Sequence, residues 1–312
     1  MIAYKGRVGV FGATSIIGEY LLPLLVEDGW DIVAFSRKVQ YIKQPLENCS
    51  ITWQLLTKSK LTNISDVHQT EKQITFWINL APIWVLPEYF SMLLRYGAKH
   101  VVAISSTSRF TKSVSSDPVE KELAEYLANN EERLTDWAKT EKLTFTILRP
   151  TLVYGLGRDK NISVIASFIR RFAFFCIFGA ASGLRQPLHA QDVASACVAA
   201  LNATAAINHC YNISGGEIVT YQEMICRIFS ALGRKPRFVA LPLWLFRVVV
   251  FILRIFPPFH HWSIAMAERM NQDLIFDHAE ASRDLGFAPR PFLPTQEDLY
   301  DYCQSERYGI KN

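Results

Sequence analysis

The sequence predicts an α/β fold: a doubly wound parallel sheet followed by a smaller, mostly helical C-terminal lobe. Three observations predict it. Short β-rich runs alternate with helical patterns through the first half, those runs are apolar throughout, and a glycine-bracketed turn joins the first run to the first helix. Strands apolar on both faces need cover on both faces, and helical crossovers between parallel strands supply it.

The elements follow in order. Arg7–Phe11 reads as the first strand, Ile17–Glu27 as the first helix and Asp31–Phe35 as the second strand. Thr75–Asn79, His100–Ser105 and Thr144–Leu148 are further strands, with helical stretches at Leu86–Tyr96 and Pro118–Lys139 between them. After Pro150 come loops rich in Gly and Arg, with helices near Ile162–Phe174, Val193–Asn202, Tyr221–Leu232 and Pro242–Phe256. The expected division is a sheet domain over residues 1–155, with 187–215 returning to it, and a second lobe over 156–312.

Composition narrows the class. The 312 residues are 50% hydrophobic and 20% charged, enough for a substantial core and too apolar for disorder. A net charge of +4 carries no nucleic-acid footprint. The 6 cysteines (Cys49, Cys176, Cys197, Cys210, Cys226 and Cys303) are scattered without a C-x-x-C. That spacing predicts reduced thiols and no metal site, and the early strand after Lys5 and Arg7 predicts no signal peptide and a cytoplasmic protein. Arg170, Arg171, Arg247 and Arg254 interrupt the longest apolar stretches short of the ~20 residues a membrane span needs.

The opening turn, VFGATSIIGEYLLPLL (Val10–Leu25), has the layout of a phosphate-binding strand–turn–helix. Gly12 allows the tight turn, and Gly18 lets the helix lie close to the sheet. The free N–H groups of the first helical turn, at Ile16 and Ile17, aim with the helix dipole at an anion. Ser15 replaces the middle glycine; with Thr14 it offers a hydroxyl to a phosphate. The plain alternative is a structural turn without ligand. The second strand ends in FSRK, so Ser36, Arg37 and Lys38 stand where an NAD-type site offers an acid to the ribose. Two cations and a hydroxyl suit a 2′-phosphate, which favours NADP(H) over NAD(H); the alternative is a solvated basic turn.

Six motifs then converge in order: FWINLAP (76–82), AISSTS (103–108), ILRPTLVYG (147–155), PLHAQDVASA (187–196), YNISGGEIVTYQEM (211–224) and DHAEASRDLGFAPR (277–290). Together the chain resembles the extended short-chain dehydrogenase/reductase family, the NAD-dependent epimerase/dehydratase group, over nearly its whole length. The resemblance implies a Rossmann-type sheet and hydride-transfer chemistry on a nucleotide sugar. It implies cofactor contacts at Leu80, Ala81, Ser105, Pro150 and Val153, and a substrate contact at Thr107. Arg185, four residues before the motif histidine His189, corresponds to the family's diphosphate-gripping arginine; Arg269 fits a second clamp loosely. Guanidinium groups suit diphosphates because they stay charged and donate paired hydrogen bonds. A surface salt bridge is the ordinary alternative for each. Asp192 reads as a helix-opening cap, and His189 as a structural residue.

The resemblance fails at the family's Ser/Thr plus Tyr-x-x-x-Lys chemistry. Ser106 matches the serine. Anchoring on Glu131 puts Leu123 and Leu127 at the tyrosine and lysine positions. The nearby Tyr126 is out of register and is followed four residues later by Asn130, which cannot lower a phenol's pKa as a cation does. Ser106 and Tyr126 are the expected catalytic residues, with Arg109, Lys112 and Tyr154 also on segments within reach. Against a half-buried helix aromatic, Tyr126 is the sharper choice.

The segment LPLWLFRVVVFILRIFPPFHHW places Arg247 and Arg254 on one helical face among large apolar residues, and SFIRRFAFFCIFG has similar character. The bland reading is a core or dimer helix. The sharper one is an interfacial helix over 242–259 touching the inner membrane face. His260 and His261 have no third ligand at metal spacing. The leading expectation is thus an NADP(H)-binding oxidoreductase, epimerase or dehydratase acting on a nucleotide- or lipid-diphosphate sugar, with a homodimer left open. The rival is a catalytically silent cofactor-binding sensor or scaffold.

Overall fold

The computed structural model describes residues 4–37, 51–56, 73–241 and 269–300. Among these residues the main sheet has 7 strands: β1 (Gly6–Phe11), β2 (Trp30–Ser36), β3 (Ile51–Leu55), β4 (Phe76–Asn79), β5 (His100–Ile104), β6 (Thr144–Pro150) and an edge strand His209–Ile213. The order is edge strand, β6, β5, β4, β1, β2, β3, every pairing parallel. The uniformly apolar runs are what this arrangement demands, since both sheet faces are buried. One face packs under helix α1 (Ile16–Glu27) and the helix Ala190–Asn202, the other under the residues 83–95 and the long helix Pro118–Thr140.

The long helix shows how sequence sets an element. Asp117 caps it by accepting the Val119 N–H at 3.0 Å, and Pro118 occupies the first turn, where its missing N–H costs nothing. Ala124, Leu127, Glu131, Leu134 and Ala138 recur at three- and four-residue spacing and are buried. Glu131 is a carboxylate on that core-facing stripe.

Several elements differ from expectation. β3 was not anticipated, and the stretch expected as one helix over Leu86–Tyr96 is a 3-10 helix Ile83–Tyr89 followed by an α-helix Phe90–Arg95. Pro87 lies inside the 3-10 segment and cannot donate to an α-helical ladder. The helix expected from Val193 begins at Ala190. Its cap is His189, whose Nδ1 accepts the Gln191 N–H at 3.1 Å, and not Asp192. Asp192 instead holds Arg290, accepting from its backbone N–H at 3.0 Å and its Nε–H at 2.9 Å. The expected helix Pro242–Phe256, the surface 242–259, the pair His260–His261 and Lys38 lie outside the described residues.

Beyond β6, the helices Ile162–Phe172 and Tyr221–Ala231 enclose a separate core that includes Tyr154, Ile169, Phe229 and Phe292. The ribbon Phe175–Phe178 pairs in parallel with Phe238–Leu241 beside it. Among the described residues no helix is long and apolar enough to cross a membrane, and no His, Cys, Asp and Glu group could hold a metal ion.

Candidate functional site

Two cavities, each of about 380 Å³, open where strands of the main sheet end. The first is lined by residues following β1, β2 and β4, among them Gly12, Thr14, Ser36, Arg37, Asn79 and Ala81. Gly12 has φ +72°, and a Cβ there would lie 2.7 Å from the Ala81 nitrogen and 2.8 Å from the Leu80 carbonyl carbon. A Cβ on Gly18 would lie 2.1 Å from the Ala13 carbonyl oxygen. Neither position accommodates a side chain without moving α1 or the β4 loop. Ser15 caps α1: its Oγ accepts the Gly18 N–H at 3.2 Å. The first-turn N–H groups of Ile16 and Ile17, which have no intrahelical acceptor, open beside that hydroxyl. The Ile17 side chain and Leu80 are buried in the core. Asn79, which the sequence reading passed over, donates from Nδ2 to the Ala81 carbonyl at 2.9 Å and so fixes the loop.

The second cavity is lined by residues following β5 and β6 and by the C-terminal lobe. Ser106, Thr107, Ser108, Thr111 and Thr151 supply hydroxyls, Val153 an apolar wall, and Lys112, Arg185 and Arg269 positive charge. No carboxylate lines either cavity among the described residues. Ser106 Oγ accepts the Ser108 N–H at 3.1 Å, leaving its proton to be donated. Thr107 is anchored to the buried Pro150, whose carbonyl accepts both the Thr107 N–H and its hydroxyl at 3.1 Å.

Arg185 is 4% exposed. Its Nη1 donates to the carbonyls of Leu184 and Gln272, both at 2.7 Å, and its Nη2 to the carbonyl of Arg269. Those bonds use three of five N–H groups. No salt bridge to it occurs among the described residues, and the Tyr221 ring lies 5.2 Å from the guanidinium carbon. Burial pulls Arg185 down to about 10 and pushes the Tyr221 phenol up to about 12, so neither exchanges a proton near neutrality. Arg269 is held by Glu120, which also pairs with Lys112 at 3.6 Å.

Beneath Ser106 lies a network that sequence reading missed. Glu131, 2% exposed, accepts from the Ser105 hydroxyl at 2.5 Å, from Arg109, and from Arg149 Nη2 at 2.6 Å and Nε at 3.0 Å. The Ser105 hydroxyl is thus turned inward to Glu131. Tyr126 lines neither cavity: it is 47% exposed and packs tilted against Trp84 with ring centres 5.6 Å apart. Leu127 is buried in the core and Leu123 packs against it. Tyr154 packs edge-on to His189 and Phe292 in the second core.

The family model described as NAD dependent epimerase/dehydratase family matches residues 88–214. Over that segment the chain is similar to the NAD dependent epimerase/dehydratase family. The match takes in Ser106, Glu131 and Arg185, while Gly12, Ser15 and Arg37 precede it. The uncharacterized protein y4nG of Sinorhizobium fredii is 26% identical over 175 residues, 54% of this chain and 42% of that protein. Short-chain dehydrogenase/reductase family 42E member 1 of Mus musculus is 26% identical over 178 residues, 52% of this chain and 44% of that protein. The matched region therefore spans less than half the length of these curated relatives. In fold, the chain is similar to the UDP-glucuronic acid 4-epimerase from Bacillus cereus in complex with NAD, at TM-score 0.68 and 18% identity, covering 97% of this chain and 98% of that one.

Proposed function

We propose that the chain binds NADP(H) and transfers hydride to or from a sugar carried on a nucleotide or lipid diphosphate, as an oxidoreductase, epimerase or dehydratase. The observation that carries this reading is the second cavity: hydroxyls of Ser106, Thr107 and Thr151 beside Lys112, Arg185 and Arg269, with no carboxylate lining it among the described residues. That inventory fits a polyhydroxylated ligand bearing phosphate charge. The two Arg185 N–H groups left after its carbonyl bonds suit a diphosphate oxygen, and three anchors hold the guanidinium in place for it.

The residues present also fit the coenzyme. The cradle that a Cβ at Gly12 would fill, the N–H groups opening α1 and the Ser15 hydroxyl suit a pyrophosphate. Ser36 and Arg37 line the same cavity where a ribose 2′-phosphate would lie, which is the support for NADP(H) over NAD(H). When bound, the coenzyme supplies the hydride acceptor or donor. Ser106 would donate a hydrogen bond to a sugar oxygen, Val153 would close the apolar side, and Pro150, buried behind it, would hold Thr107 in place. On this reading residues 1–155 and 187–215 hold the coenzyme while 156–312 close over the sugar.

A second reading, a catalytically silent coenzyme-binding protein, is favoured by one observation. Leu123 and Leu127 occupy the long-helix positions where the family's tyrosine and lysine are expected, and Tyr126 lies outside both cavities. One experiment separates the two. The purified protein is assayed for bound nicotinamide by absorbance and fluorescence, then mixed with sugar diphosphates. The enzyme reading expects coenzyme turnover that falls about a hundredfold in Ser106→Ala, the cost of losing one preorganised donor, and survives Tyr126→Phe. Coenzyme that binds and is never turned over selects the silent reading.

A further inference from the structure

The outer face of the C-terminal lobe contributes to neither cavity, yet its composition is unusual. Phe168 lies 4.7 Å from Phe172 and 5.7 Å from both Phe174 and Phe175, ring centre to ring centre. The outermost of these rings, Phe172, is 48% exposed at the end of its helix. Cations surround it. The Arg171 guanidinium sits 5.4 Å from the Phe172 ring centre, and Arg234 reaches the same helix end by donating to the Ile169 carbonyl at 2.7 Å. Arg237 is tied in through its carbonyl, which accepts the Phe175 N–H at 2.9 Å. Residues 233–237 are exposed, and Val239 on the following strand is 41% exposed.

The two stretches that build this face carry no carboxylate. The sequence has no Asp or Glu from 160 to 191 or from 224 to 267, against 29 in the whole chain. The described parts of these two stretches pack together, since Phe175–Phe178 pairs with Phe238–Leu241. On segments packed against the helix, Asp159 is turned to the N–H groups of Asn161 and Ser163, Asp298 to His189 and Thr295, and Glu223 to Arg227, while Glu297 is exposed on the helix Gln296–Leu299. A protein-binding face would carry few charges at its apolar centre. Aromatic rings beside Arg and Lys that pair with no carboxylate among the described residues match instead the boundary between acyl chains and anionic headgroups.

We infer that this face docks on a bilayer containing anionic lipid, with Phe172 and its ring neighbours entering the headgroup–acyl boundary and Arg171, Arg234, Lys235 and Arg237 meeting lipid phosphates. The surface consists of described residues and stands independently of the proposed activity. It would hold the protein against the membrane without any spanning helix.

The test is co-sedimentation of the full chain with vesicles of phosphatidylcholine, alone or mixed with phosphatidylglycerol. Sedimentation is expected only with the mixed vesicles and is expected to weaken as salt rises. Lys235→Ala/Arg237→Ala removes two exposed cations and should weaken binding about twentyfold. Phe172→Ser should weaken it at every salt concentration, since it removes the apolar contact. Unchanged circular dichroism confirms that each variant is folded. The inference is overturned if the chain ignores the mixed vesicles, if binding is insensitive to salt, or if both variants bind like the parent. It is also overturned if light scattering shows a dimer that Phe172→Ser dissociates, because the face would then serve a second copy of the chain.

Discussion

Replacing Glu131 with Gln keeps the shape of a buried side chain and removes the counter-ion from two guanidinium groups. The magnitude follows from geometry. Unit charges about 4 Å apart attract by about 4 kcal/mol at an effective dielectric of about 20, and desolvation offsets much of that in the intact network. Loss of one partner is different, because the arginines keep their desolvation and lose the attraction. Such losses cost about 3–5 kcal/mol. Side-chain exposures of 15% for Arg149 and 25% for Arg109 let both turn partly toward water, which selects the lower end, about 3 kcal/mol. At about 2–4 °C per kcal/mol, the thermal midpoint should fall by about 6–12 °C. Scanning calorimetry at neutral pH reads this directly. Glu131→Met combined with Arg149→Met should recover part of the loss, as a coupled pair replaced by apolar groups does, although Arg109 is still left unpaired. A midpoint within about 1 °C of the parent for Glu131→Gln, or strictly additive effects in the double variant, refutes the reasoning.

Three other outcomes are expected. Gly18→Ala drives a methyl against the Ala13 carbonyl oxygen, 2.1 Å away, so it should cost about 1–3 kcal/mol in denaturant unfolding and weaken coenzyme binding in calorimetry. Arg37→Ala should weaken NADPH much more than NADH in the same titration; equal losses count against the 2′-phosphate role. Burial depresses His100 from 6.5 to about 4, and its Nδ1 lies 2.8 Å from Thr144 Oγ1. Between those values the unfolded chain binds the extra proton, so stability is full above pH 6.5 and falls as the pH drops toward 4, by up to about 1.4 kcal/mol per pH unit. Thermal midpoints of the parent and His100→Asn across that range should diverge, the variant having the flatter profile.

The sheet was legible because both faces of a buried parallel strand write the same signal: continuous apolar residues between helical patterns. β3 escaped for the same reason in reverse. Among the described residues it lies at the sheet edge, paired with β2 alone, and alternates Ile51, Trp53 and Leu55 with Thr52 and Gln54 over five residues. Alternation that short is indistinguishable from a loop. The cap of the helix Ala190–Asn202 was misplaced because an imidazole nitrogen does what a hydroxyl or carboxylate oxygen usually does. That cap also fixes the His189 tautomer: Nδ1 accepts from Gln191, so Nε2 carries the proton donated to Asp298, 2.9 Å away.

The site divides along the same physical line. Residues that follow strands directly, such as Gly12, Ser36, Ser106 and Val153, were legible because a parallel sheet delivers its strand ends to one edge, whatever the loops do. Interactions between distant segments left no local trace. Arg185 takes two of its three carbonyl anchors from residues 84 and 87 positions away, and Arg269 finds Glu120 at a separation of 149. Glu131 had one visible signature, a carboxylate on the buried stripe of an amphipathic helix, which must be paired because an isolated buried charge is too costly to keep. Its partners, Arg109 and Ser105, flank Ser106. The charge that the long helix retains at Glu131 therefore acts on the loop holding the serine, while its two apolar positions at Leu123 and Leu127 contribute packing and no proton. Among the described residues the groups beside Ser106 in the cavity are other hydroxyls and Lys112, and replacing Lys112 with Met tests whether that cation serves the cavity or only Glu120.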